Sequence, residues 1–166
     1  MTASTTTILA IDPGTYESAY VIWDGRRILD YDKVDNHRML KIIADPEWDV
    51  DLLAVERVAS YGQRVGQEVF DTCMWTGRFV QAATEESLNF KLIYRMTIKK
   101  YLIGSHTAKD ADIRRRLLDV IGPQGTKKAP GPTYGIKSDM WQALARAVTA
   151  GDTLDNGGWA AGADKG

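Results

Sequence analysis

Residues 7–14, TILAIDPG, decide the reading of this chain. TILAI is a short apolar run of strand character, and Asp12 closes it. Pro13 fixes φ and Gly14 permits a tight turn, so the strand stops there and its carboxylate is left at the edge of the sheet it joins. A second run, DLLAVE at 51–56, also ends in an acid, Glu56. It is too short for a stable isolated helix and reads as a buried central strand.

Outward from these two runs the chain alternates strand and helix signals. SAYVIWDGRRILDY (18–31) sets β-rich stretches on either side of Asp24-Gly25, a dipeptide suited to a two-residue hairpin. Asn36 is placed to cap a helix over 37–44. Val65, Val69, Cys73, Trp75 or Thr76, and Val80 recur at helical spacing and predict a long core-facing helix to about Glu86. FKLIYRM (90–96) reads as a strand. Lys109 to Ile121 reads as a helix with acids early and arginines late, as the macrodipole favours. Residues 122–137 hold four glycines and three prolines and predict a mobile basic loop. Ser138 is expected to cap a last helix, DMWQALARAVTA, which Gly151 ends. The fold class is α/β, with a mixed central sheet, an antiparallel three-stranded meander and flanking helices. The expected organisation is a single domain over 1–150 and a flexible tail over 151–166.

Composition narrows the function classes. An apolar share of 44% and a charged share of 26% suit a globular chain able to bury one core. The single cysteine, Cys73, forms no internal disulfide and no zinc-ligand cluster, which fits a reducing, cytoplasmic setting. No basic leader and no apolar stretch of membrane-spanning length occurs, so no membrane association is expected. With a net charge of −1, any nucleic-acid binding must come from local patches: Lys99-Lys100, Arg114 to Arg116, and Lys127-Lys128.

The chemistry-bearing residues are acids. Asp12 and Glu56 sit at strand ends, where open α/β sheets place their sites. Asp139 opens a helix rich in small residues (Ala143, Ala145, Ala147), which can pack close to a sheet and bring it towards them. Each acid has an ordinary explanation taken alone: a turn-former, a strand-end ion pair, a helix N-terminal charge. Together they form a hard-oxygen donor set that suits Mg²⁺ or Mn²⁺. Two such ions about 4 Å apart would cleave a phosphodiester without a protein nucleophile. No nucleophile elbow and no Walker-type phosphate loop occurs, so no nucleotide cofactor is expected.

LAIDPGT, then LLAVERV, an Ile-Lys-Lys segment, and KSDMWQALARA resemble, in order and spacing, the RuvC family of Holliday junction resolvases, its phage-borne members above all. The resemblance spans about residues 7 to 150. It implies a ribonuclease H-like fold, two metal ions per site and a homodimer that nicks opposed strands of a four-way junction, in a bacterial or phage-infected cell. Asp12, Glu56 and Asp139 match family acids, and Lys99 matches a lysine used near the scissile phosphate. Two departures stand out. Gln142 occupies the place of a fourth acid, three residues from Asp139 on one helical face, where it is a neutral ligand or a supporting group. Ala59 stands where an aromatic wedge is common, a part Tyr61 can take. The implied DNA-contacting set is Arg57, Tyr61, Arg64, Lys99, Lys100, Arg115, Lys127 and Lys128. Rival readings are a ribonuclease H-like nuclease of flaps or RNA–DNA hybrids, a junction-binding protein weakened by Gln142, and an actin-like ATP-binding protein, for which the chain is too short.

Overall fold

The structure, a computed structural model, describes residues 5–155. Its strands are β1 (Ile8–Asp12), β2 (Glu17–Trp23), β3 (Ile28–Asp35), β4 (Leu52–Arg57) and β5 (Asn89–Tyr94). Its helices are α1 (Asn36–Ala44), α2 (Gln67–Glu85), α3 (Arg95–Ile103), α4 (Asp110–Ile121) and α5 (Met140–Asp155). The strands form one mixed sheet in the order β3-β2-β1-β4-β5, with β1 and β4 parallel, β4 and β5 parallel, and β1-β2-β3 an antiparallel meander.

Both faces of the sheet are covered. Ile8 and Ala10 of β1 and Leu52 and Ala54 of β4 face α3, α4 and α5, whereas Leu9, Ile11, Leu53 and Val55 face α1 and α2. This is why β1 and β4 read as continuous apolar runs. Each fully buried Leu or Ile contributes about 1.5–3 kcal/mol. On α5, Ala143, Ala145, Ala147 and Ala150 are fully buried. The alternation of side chains has a direct consequence for function: Asp12 and Glu56 share the parity of Ala10 and Ala54 and so turn towards α5.

The turn after Asp12 is held from within. Asn36 and Ser18 are each 1% exposed, and Ser18 Oγ donates to Asn36 Oδ1 at 2.6 Å. Asn36 Nδ2 donates to the Gly14 carbonyl at 2.9 Å, and the Gly14 amide donates to Ser18 Oγ at 3.2 Å. A Cβ on Gly14 would lie 2.3 Å from the Glu17 carbonyl oxygen, so the turn demands glycine.

Several sequence expectations are corrected. Asn36 lies inside α1; the cap is Asp35, whose side chain accepts from the Arg38 amide, which frees Asn36 for the turn network. The hairpin spans Asp24 to Arg27, because the Asp24 carboxylate accepts from the Arg26 and Arg27 amides and builds a wider turn, with Gly25 at φ 90°. Cys73 is exposed; the buried face of α2 is Trp75, Phe79 and Ala83. The strand expected to reach residue 96 ends at Tyr94, and α3 follows at once.

Residues 122–137 form a loop without helix or strand, tied together by internal hydrogen bonds. Gly125 pairs with Pro130, Thr133 Oγ1 donates to the Gly122 carbonyl at 2.9 Å, and Gln124 Nε2 donates to the Ile136 carbonyl at 2.7 Å. Ser138 takes a φ of 50° and α5 begins at Met140, so Ser138 turns the chain and does not cap the helix. Gly151 lies inside α5 against Ile8 and Trp23, and the helix runs on to Asp155. The expected flexible tail is therefore helical over 151–155, and 156–166 lie outside the described residues. No helix of the described residues is long and apolar enough to cross a membrane.

Asn36→Ala leaves the Ser18 hydroxyl and the Gly14 carbonyl without their partner. Urea unfolding should show a loss of about 1–3 kcal/mol. An unchanged midpoint would mean the network does not hold the Asp12 turn.

Candidate active site

Parallel pairing brings the acids together. Ile11 is in register with Val55, so Asp12 and Glu56 follow side by side at the carboxyl ends of β1 and β4. Asp139 comes in from the residue preceding α5 and acts electrostatically on Asp12, as does Glu56. The Asp12 and Glu56 side chains are 17% and 19% exposed, so both acids are only partly reached by solvent.

Two cations answer these charges. Arg146 of α5 is 1% exposed, and its Nη1 lies 3.4 Å from Asp12 Oδ1 while its Nη2 lies 3.7 Å from Glu56 Oε2. Nη1 also donates to the Ile11 carbonyl at 2.9 Å. At the outer edge, Lys33 Nζ pairs with Asp139 Oδ2 at 2.6 Å, and this contact raises the Lys33 pKa. Arg95, first residue of α3, is ion-paired to Asp110 and feels both Glu56 and Asp12.

Burial pushes the Asp12 carboxyl up to about 6; Arg146 opposes this, and the charges of Glu56 and Asp139 add to it. The arrangement is rich in negative charge despite its internal cations. Its donors are the hard oxygens that bind Mg²⁺ or Mn²⁺, so by chemistry the set fits a divalent ion. Among the described residues no three acidic, histidine or cysteine side chains already close on one point, and Lys33 holds Asp139 at the rim.

The other expected residues stand on several elements, and among the described residues no side-chain hydrogen bond or ion pair joins them to the three acids. Gln142 is half-buried, three residues after Asp139 and four before Arg146, so the three share one side of α5. Lys99 is half-buried one turn beyond Arg95 on α3, with Lys100 exposed beside it. Arg57 ends β4 with its guanidinium 5.4 Å from the centre of the Tyr94 ring. Tyr61 and Arg64 are exposed in the loop between β4 and α2, and Tyr61 holds a φ of 48°. Such a conformation in a bulky residue is costly and marks loops that work. Arg115 is exposed and 3.7 Å from Asp112, and Lys127 and Lys128 lie at the exposed tip of the packed loop.

Sequence reasoning missed Arg146, Lys33 and Arg95. Arg146 carried a signal: it is a lone cation among the small and apolar residues of ALARAVTA, on the side already marked by Asp139 and Gln142. Lys33 carried none, because its partner is 106 residues away in sequence.

The sheet order, the helical layers and the acids at the parallel strand ends define a ribonuclease H-like fold. Among solved structures the chain is similar to Thermus thermophilus RuvC, with a TM-score of 0.72 and 19% identity over 92% of this chain and 97% of that one. It is similar to T. thermophilus RuvC in complex with a Holliday junction substrate, at a TM-score of 0.70 and 19% identity over 91% and 96% of the two chains. The yeast mitochondrial Holliday junction resolvase Ydc2 matches at 0.55 and 11% identity over 87% and 78%. No protein-family model matches the sequence, and no curated protein matches it. The fold is thus RuvC-like, as the sequence resemblance implied.

The raised Asp12 pKa gives a signed prediction for the metal-free protein. Folding lifts this carboxyl from 3.8 to about 6, so the folded state holds the proton more tightly than the unfolded chain. The resulting stability is full below pH 4 and lost as pH rises through 6. At pH 7.5 the ionised group then carries a penalty of at most about 3 kcal/mol. With EDTA present, Asp12→Asn should melt several degrees higher than wild type at pH 7.5 and nearly equal to it at pH 4. A lower melting temperature at pH 7.5 would contradict the balance of charges described above.

Proposed function

We propose that this chain is a metal-dependent DNA endonuclease that resolves four-way junctions as a homodimer. One observation carries the reading: Asp12 and Glu56 stand side by side at one sheet edge, with Asp139 near enough to act on Asp12 electrostatically, on a fold similar to that of RuvC over 92% of the chain. A junction substrate is bound in one of the similar structures, and a resolvase is named in another.

Asp12, Glu56 and Asp139 would hold Mg²⁺ or Mn²⁺. When bound, the metal supplies Lewis-acid chemistry, activating water and stabilising charge on the phosphate and leaving oxygens. The residues of the chain do the rest. Asp12 and Glu56 orient the site from the sheet, and Lys99 lends positive charge to the scissile phosphate from α3. Gln142 contributes a neutral amide on the same side of α5. Arg57, Arg64, Lys100, Arg115, Lys127 and Lys128 contact DNA backbone, where phosphate neutralisation makes affinity fall steeply with salt. Tyr61, exposed and held at positive φ, is the group suited to stack against opened base pairs.

Support for a dimer comes from the outer side of α2. Phe70 is 58% exposed and Met74 57%, and Gly77 has open space where a Cβ would stand. Spaced four and three residues apart, they form one apolar stripe that a second copy would cover. A second reading, a junction-binding protein with weakened cleavage, is favoured by Gln142 and by the Arg146 guanidinium among the acids.

In Mg²⁺ and in Mn²⁺, the protein should place paired symmetric nicks in a labelled four-way junction and leave a matched linear duplex intact. Glu56→Gln should reduce the rate at least about a hundredfold with binding retained. Cutting of duplex or flaps would instead indicate a broader nuclease, and tight binding without cutting would establish the second reading. The double variant Phe70→Glu, Met74→Glu should sediment as a monomer and lose paired nicking. If it still sediments as wild type does, the subunit contact lies elsewhere.

A further inference from the structure

We propose that Arg146 permanently occupies one cation position of the carboxylate cluster, so that the cluster takes a single divalent ion. The inference rests on the metal-dependent reading above and specifies the composition of its site.

Both charged partners of Arg146 are acids of that site: Nη1 faces Asp12 at 3.4 Å and Nη2 faces Glu56 at 3.7 Å. At 1% exposure the guanidinium cannot reach a phosphate, so it has no direct part in holding DNA. Its Nε has no hydrogen-bond partner, so compensation of its charge falls on Asp12, Glu56 and the Ile11 carbonyl. Buried at 1% exposure, the guanidinium has no route to solvent and is hard for an incoming ion to displace.

The second internal cation differs. Lys33 and Asp139 are 37% and 47% exposed, so their pairing is screened and easily exchanged. Lys33 can swing into solvent and release Asp139, whereas Arg146 has nowhere to go. Three carboxylates and one retained guanidinium carry two net negative charges, matching one divalent ion. Two divalent ions would leave this partly buried cluster with two net positive charges before any phosphate arrives. Arg146 is thus a positioning residue: it bridges Asp12 and Glu56 on the α5 side and leaves their remaining oxygens and Asp139 for the ion.

Mn²⁺ binding, counted on the purified full chain without DNA from the paramagnetic resonance signal of the free ion, tests this. Wild type should bind one Mn²⁺ per chain. Arg146→Met, close in length but neutral, should bind two, or bind its first roughly tenfold more tightly. Arg146→Lys, which keeps the charge, should behave as wild type. Two ions or none on wild type would overturn the proposal, and so would superposable curves for wild type and a folded Arg146→Met. Because the wild-type count decides alone, misfolding of Arg146→Met would not shelter the idea. Junction cleavage run in parallel separates the two inferences. One bound ion with no cleavage of branched DNA would refute the nuclease reading and leave the role of Arg146 intact, while two bound ions with cleavage would do the reverse.

Discussion

The buried contact of Arg146 with Asp12 and Glu56 is the constraint on which the rest of the site depends. Parallel pairing of β1 and β4 forces two carboxylates side by side. Side-chain alternation turns both to the same face, where α5 closes over them and reduces their contact with water. Like charges so placed repel, and burial worsens the cost of each. A guanidinium laid beneath them is a compact remedy, since its planar fork can address two carboxylates and a backbone carbonyl at once. It reaches them because its neighbours on α5 are alanines, which let the helix lie close against the sheet.

The scaffold around this contact fixes two of the acids on the sheet and leaves the third at an exposed rim. Asp12 sits between a strand buried on both faces and a turn held by Asn36, Ser18 and Gly14. Glu56 sits on the central strand pair and is in register with Ile93 of β5. Asp139 is different: it lies at the rim, just before its helix, and its partner is an exposed lysine. Two acids are therefore held by the fold, and the third has room to move over a short distance. The cations Arg57, Arg64, Lys99 and Lys100 stand on three separate parts of the chain: the end of β4, the loop after it, and α3.

Much of this was legible in the sequence, for physical reasons that particular residues make plain. TILAID and DLLAVE announced buried strands because both faces of β1 and β4 are covered, and their terminal acids are the chemically unexpected residues in apolar runs. What could not be read was which partner each polar group chooses. Asn36 looks like a cap, but Asp35 takes that role, and the Asn36 side chain serves a turn 22 residues away. The glycines and prolines of 122–137 argued against regular structure, and none forms there; they carried no information on the hydrogen bonds that pack the loop. Lys33 and Arg146 matter through partners more than a hundred residues distant, which local pattern cannot supply.

An internal cation also changes how metal and folding are related. In a site made only of acids, repulsion in the metal-free state would be relieved by the ion alone, so binding and folding would be strongly coupled. Here Arg146 compensates much of that repulsion from within the chain, and under the metal-dependent reading proposed above an ion would add stability chiefly by mass action, as RT ln(1 + [L]/Kd). The compensation is incomplete, since Asp12 still holds its proton up to about pH 6. Under that reading the remaining negative charge would attract an incoming ion, and because metal ligation needs the carboxylate ionised, the attraction would weaken as pH falls through 6. Under that reading a chain with this arrangement would fold without metal, its two central acids already side by side, and the remaining adjustment on binding would be the release of Asp139 from Lys33.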